Sequence, residues 1–127
     1  MGLVTEHAEW ADEHRPAAAT QATIARAADA GGKHVCKSVT VSVAAGATAS
    51  GIITFVLRDG ATGAGTVLWS AKLATGTTDS KALSVPMNVI GSKNTAMTLE
   101  STGAGAATSE IVVAITGYTE KDNFVGV

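Results

Sequence analysis

Two runs of alternating side chains joined by a glycine-rich turn, Gly51–Leu73, constrain this chain more than any other stretch. Ile53, Phe55 and Leu57 alternate with Thr54, Val56 and Arg58. After the turn, Val67, Trp69, Ala71 and Leu73 alternate with Leu68, Ser70 and Lys72. A period of two puts each odd-numbered set on one face of an extended strand. Asp59-Gly60, followed by Gly63 and Gly65, predicts a hairpin with a longer, mobile loop between the runs. Phe55 and Trp69 are the large apolar side chains of the pattern, so the hairpin is the expected centre of the core.

The rest of the chain follows the same grammar. Val35, Lys37, Val39, Val41 and Val43 alternate with Cys36, Ser38, Thr40 and Ser42, which places one lysine on an apolar face. Its position at a rim, with the stem snorkelling, would accommodate the charge. Leu83, Val85, Met87 and Val89 form another period-two run, and Pro86 within it demands an edge strand or an interruption. Met97 and Leu99, then Ile111, Val113 and Ile115, supply two more. Gln21–Ala28 reads as a short strand or a helical turn, and Gly31-Gly32 and Gly91–Asn94 are breaks.

Small and β-branched residues dominate, with only 16% charged and 4% aromatic side chains, which suits short strands and excludes an ordinary helical bundle. At 127 residues the chain suits one domain able to bury about two thirds of its unfolded surface. The expected fold is all-β: a single antiparallel β-sandwich of jelly-roll or Ig-like type with about seven to eight short strands. It would span residues 21–119, after an extended N-terminal arm and linker, 1–20, and before a C-terminal tail, 120–127.

The first twenty residues differ from the body. Up to Arg15 they hold four carboxylates, Glu6, Glu9, Asp12 and Glu13, so the remainder is close to neutral although the whole chain carries −2. Thr5 can cap a short helix through Arg15, which Pro16 would stop. Too short to bury itself, the segment is either disordered or an arm that orders against a neighbour, with Trp10 as its anchor, or else a loose tail that folds back on its own domain. A nearly neutral body offers no basic field for nucleic acid, and no run is long enough to span a membrane. The N-terminus shows neither the basic region nor the apolar run of a signal peptide, so synthesis in a cytoplasm is expected.

Chemistry is sparse. Gly60-x-x-Gly63-x-Gly65 lacks the lysine and the following helix of a phosphate loop. His7 and His14 do not have a ligand spacing of known geometry. His34 and Cys36 share a strand face, which suggests zinc or an activated thiol, but no second cysteine or orienting carboxylate accompanies them. As the lone cysteine, Cys36 excludes an intramolecular disulfide and leaves an inter-subunit bridge open. No Gly-x-Ser-x-Gly elbow surrounds Ser70, Ser84 or Ser109, and Asp59 and Asp79 fall in turns. Trp69 would stack on a sugar only if exposed, and its alternating position makes it a core residue. No catalytic set, cofactor site or metal site is expected, and the chain is not read as an enzyme.

LRDGATGAGTVLWSAKLAT, with NVIGSKNTAMTLESTGAGAATSEIVVAITGY after it, resembles small β-sandwich virion proteins of tailed bacteriophages, of the capsid cement, decoration or head-fibre type. The resemblance covers most of residues 21–119 and leaves the acidic first twenty outside it. It implies a non-enzymatic protein on the outer surface of an assembled head, tying neighbouring major capsid subunits together. A homo-oligomer, dimer or trimer, would add avidity. The virion would be the location, after assembly in the host bacterial cytoplasm. The contact regions expected for such a role are the arm, through Leu3, Val4 and Trp10, and the glycine-rich stretches 59–66 and 101–108, through Arg58, Asp59, Thr62 and Thr102. The alternatives are a tail, neck or fibre component, or a host-surface glycan-binding module.

Overall fold

The computed structural model describes residues 2–17, 20–45, 51–75, 80–101 and 110–125. Each alternating run becomes a strand: β1 (Gly2–His14), β2 (Thr23–Arg26), β3 (Gly32–Val43), β4 (Gly51–Asp59), β5 (Thr66–Thr75), β6 (Lys81–Ile90), β7 (Met97–Ser101) and β8 (Ile111–Val125). They form two four-stranded sheets, ordered β1-β8-β3-β6 and β2-β7-β4-β5, with every neighbouring pair antiparallel. Apart from the β4–β5 hairpin, every connection passes from one sheet to the other. Eight strands wound in this way make a jelly roll, one of the two sandwich types the alternation allows.

Inward side chains from both sheets fill the space between them. Val39, Val41 and Val43 of β3 meet Ile111, Val113 and Ile115 of β8 in one sheet, and Ile53, Phe55 and Leu57 of β4 meet Met97 and Leu99 of β7 in the other. β4 is therefore central, as the hairpin pattern predicts, whereas β5 is an edge strand on which Trp69 is only half-buried. β6 is the edge strand that Pro86 requires.

Lys37 does not sit on the apolar face. Against β8 the register advances two residues on β3, Cys36 to Ser38, for one on β8, so Lys37 is the extra residue of a bulge and projects into solvent, while against β6 the shift at the same place puts the extra residue on β6. The bulge changes the parity of the strand: His34 and Cys36 point inward on one side of it, and Val39, Val41 and Val43 on the other.

The terminal segments depart most from the sequence reading. Gly2–His14 is a strand and not the helix that Thr5 and Pro16 permit, and the tail through Val125 belongs to β8. The two pair without interruption from Gly2↔Val125 to His14↔Val113. Local propensity favours a helix here, but β8 offers a long open edge, and a complete ladder outweighs the propensity. Trp10 lies opposite Gly117 and is buried at 7% exposure against its own domain.

Candidate interaction surfaces

The end of the sandwich that carries the β4–β5 turn is cross-braced. Arg58 Nε donates to Glu100 Oε1 at 2.6 Å and its Nη1 to the Gly65 carbonyl at 2.9 Å, while the Gly63 N–H reaches the same Glu100 oxygen at 3.1 Å. Thr98 Oγ1 donates to the Gly60 carbonyl at 3.2 Å. The turn thus folds over the outer face of β7, and this is why Thr98 and Glu100 are buried although they point away from the core. Closing the turn brings Gly60 and Gly65 together: a Cβ on Gly65 would lie 2.6 Å from the Asp59 carbonyl oxygen and 2.7 Å from the Gly60 Cα. Asp59 reaches sideways, accepting from the Ser92 N–H at 2.9 Å and the Ser92 hydroxyl at 2.5 Å. Asn94, with φ of 58°, accepts from the Gly31 N–H at 2.5 Å, which ties the β2–β3 connection to the same end.

This arrangement replaces the expected free loop. Arg58 and Asp59 hold the scaffold together, and Thr62 is the candidate on the turn that stays exposed. β7 pairs Met97 with Asp59 and runs to Ser101 opposite Phe55, so its last residue lies away from the turn. Thr102, and the rest of 102–109, lie outside the described residues.

Leu3 and Val4 are placed by register, opposite Phe124 and Asn123. β3 pairs with β8 only as far as Gly32↔Lys121, so from Thr5↔Asp122 to Gly2↔Val125 the two terminal strands pair with no third strand among the described residues. The result is a two-stranded ribbon leaving the sheet at the same end as the β4–β5 turn.

Trp10 anchors a buried polar chain. Its Nε1 donates to Thr119 Oγ1 at 3.0 Å, and that hydroxyl lies 2.7 Å from His34 Nδ1. His34 Nε2 lies 2.7 Å from the Ala27 carbonyl, which can only accept, so Nε2 is the donor of that bond. Arg26 lies over the Trp10 ring, 5.1 Å from its centroid, and pairs with Asp12 at 3.4 Å, closing the margin where β1 approaches β2. A cleft of about 530 Å³ remains there, bordered by Asp12, His14, Arg26, Asp29 and His34. The sequence singles out Trp10 and His34 separately; nothing in it links them to Thr119, which is 85 residues from His34.

The histidines and the cysteine are not assembled into a site. His14 Nδ1 accepts the Thr23 N–H at 3.0 Å, and His7, an odd number of residues away on the same strand, stacks on Tyr118 with centroids 4.8 Å apart. Cys36 is buried, donates to the Ser38 carbonyl at 3.6 Å, and has its thiol pushed up to about 11 by burial. Among the described residues no three His, Cys, Asp or Glu side chains converge as a metal site would need. On the outer face of the β1-containing sheet, a groove of about 650 Å³ is lined by His7, Glu9, Lys37, Thr116 and Tyr118.

No protein-family model matches this sequence, and no curated relative does. Among solved structures, the chain is similar to a protein of the Bacillus endospore appendages, described as a novel family of disulfide-linked pili, at 21% identity over 92% of this chain and 90% of that one, with a TM-score of 0.34. A chain of the nora virus structure aligns at 12% identity over 99% of this chain and 62% of its own, with a TM-score of 0.38. A family 11 carbohydrate-binding module from Clostridium thermocellum, in complex with a β-1,3-1,4-mixed-linked tetrasaccharide, aligns at 7% identity over 94% and 87%, with a TM-score of 0.34. All three scores are low, and the jelly-roll assignment rests on the strand order.

Proposed function

We propose that this chain is a non-enzymatic structural protein of a tailed-bacteriophage virion: a capsid cement or decoration protein that binds the outside of the assembled head and bridges neighbouring major capsid subunits. The observation that carries this reading is the terminal ribbon. Two strands with no third neighbour among the described residues are marginal in water, and docking on a second surface supplies the contacts they lack. The ribbon holds Leu3 and Val4 and shares its end of the sandwich with the exposed Thr62, so both lie on the side that would face a shell. Behind them the braced turn and the paired sheets give a rigid body suited to transmitting load between subunits. Self-association as a dimer or trimer would add avidity, and no nucleic acid, membrane or cofactor enters the reading. The protein would be made in the host cytoplasm and reside on the virion.

The test removes residues 2–5 together with 122–125, leaving every β1–β8 pair that β3 supports. The full chain and this variant are added to purified heads of the phage that encodes them, and binding and heat resistance of the heads are measured. Loss of both supports the reading; unchanged binding and protection sink it. Imaging of the particles separates head from tail, neck or fibre.

A second reading, a glycan-binding module on the virion, draws on the groove beside the His7–Tyr118 stack, where Glu9, Lys37 and Thr116 offer hydrogen bonds next to aromatic faces. Trp69 does not serve that role, because it packs on the core. Saturable tyrosine shifts on titration with host polysaccharide, lost in Tyr118→Ala, would favour it over the cement role.

A further inference from the structure

The two margins of the sandwich are finished differently. At the β1–β2 margin, Trp10 and Ile24 are buried and Arg26 closes over the indole. At the β5–β6 margin, Trp69, Leu73, Leu83, Met87 and Val89 all pack against the core, yet none is fully buried. Val67 and Ile90, at the same margin, are 52% and 55% exposed. A monomer that seals one side of its core and leaves large apolar side chains half-covered on the other has a surface built to be covered.

Both β5 and β6 are ten-residue edge strands with a single strand neighbour each among the described residues, so each offers a row of backbone donors and acceptors. Pro86 withholds one N–H and leaves the rest of β6 able to pair. The charges on β1 and on the β5–β6 margin are opposite, and the one charge on β2, Arg26, is paired with Asp12. β5 and β6 carry Lys72 and Lys81 and no acid, whereas β1 carries Glu6, Glu9, Asp12 and Glu13 and no base other than histidine. Direction is compatible as well. Because strands alternate along each sheet, β1 runs antiparallel to β6, and β2 runs antiparallel to β5. A second copy set beside the first in the same orientation therefore brings β1 to β6 and β2 to β5 in antiparallel sense.

We propose that copies of this chain associate head-to-tail, the open β5–β6 margin of one receiving the acidic β1–β2 margin of the next, with both sheets continuing across the junction. The contact is heterologous, so each copy uses one margin to give and the other to receive, and the rotation between copies decides between a ring and a filament. This rests on the two margins and not on the terminal ribbon or a capsid role; it would hold equally for a tail component, and either proposal can fail without the other.

The test uses the full chain and two surface variants. Lys72→Glu with Lys81→Glu makes both margins acidic, and Glu9→Lys with Glu13→Lys makes the solvent-facing side of β1, the side away from Trp10, basic like the lysines of β5 and β6; all four side chains are exposed, so each fold is retained. Sedimentation of the unaltered chain over a concentration series should show association beyond a dimer or closure into a ring. Each variant alone should associate about tenfold more weakly, and an equimolar mixture of the two should recover the association, because every junction in an alternating array is again complementary. Hydrogen exchange of the unaltered chain provides a second readout: protection of β1, β5 and β6 amides should rise with protein concentration. A chain that stays monomeric, variants that associate like the original, a mixture that fails to recover, or exchange independent of concentration would each overturn the proposal.

Discussion

Replacing Trp10 by alanine asks directly whether β1 is part of the domain or an arm at rest against it. In the structure the indole is 7% exposed, donates to Thr119 at 3.0 Å and lies under Arg26 at 5.1 Å. Truncating a buried tryptophan to alanine costs about 3–5 kcal/mol in lost transfer free energy and residual cavity. The lost donor to Thr119, whose hydroxyl keeps its bond to His34, and the lost cation–π contact lie within that range or slightly above it. With about 2.1 cal/mol/K of unfolding entropy per residue, a domain of this size changes by about 0.27 kcal/mol/K, so a loss of about 4 kcal/mol lowers Tm by about 15 °C. Trp10→Phe keeps most of the apolar bulk and removes the N–H, and should cost about 1–2 kcal/mol. Urea unfolding followed by circular dichroism gives both values, with a constant m-value as the check on two-state behaviour. If Trp10→Ala loses less than about 1 kcal/mol and the β1 amides exchange freely, β1 is detached in solution and the packing argument fails.

Three further outcomes follow from the same contacts. Arg58→Ala should destabilise by about 3 kcal/mol and more than Glu100→Ala, because it leaves the 4% exposed Glu100 carboxylate with backbone N–H contact alone, whereas a freed Arg58 can turn to water; paired denaturation curves compare them. Gly117→Ala should cost about 3 kcal/mol and stay destabilising in the Trp10→Ala background, since its Cβ would sit 2.2 Å from the Val35 carbonyl oxygen as well as 2.7 Å from the indole; thermal melts of the single and double variants decide it. For Cys36 the thiol pKa rises from 9.0 to about 11, so the folded state holds the proton more tightly than the unfolded chain does. Its contribution is complete below pH 9 and falls away between pH 9 and 11, by about 2–3 kcal/mol, a slope that Cys36→Ala should lack in urea titrations over that range.

The hairpin at Gly51–Leu73 shows how far local pattern reaches. Alternation identified β4, its inward set Ile53, Phe55 and Leu57, and the edge character that Pro86 imposes on β6, because each of these follows from the period of a strand and the missing N–H of proline. Alternation also ranked Trp69 as a packing residue, which it is, though only half-buried at a margin. It could not show that Lys37 escapes the apolar face, because a bulge is a property of two strands and not of one. Nor could it place Glu100: a carboxylate in an alternating run looks solvent-facing until the β4–β5 turn folds across it.

Residues 2–14 mark the boundary most clearly. Their carboxylates and small residues satisfy a helix, an arm or a strand about equally, since β1 is an edge strand whose outward face tolerates any polar residue. What makes it a strand is the edge of β8, more than a hundred residues along the chain for most of the ladder, and what fixes its register is Trp10 meeting a glycine at 117 that leaves room for the ring. The sequence alone determined that this chain would be a sandwich of short strands with glycine-rich turns, because side-chain period and backbone permissiveness are local. Only the tertiary structure decided which strands are neighbours, which turn polar groups are engaged within the domain, and which margin of the core is left open. Those outcomes depend on pairings between distant segments, and no window of local sequence contains them.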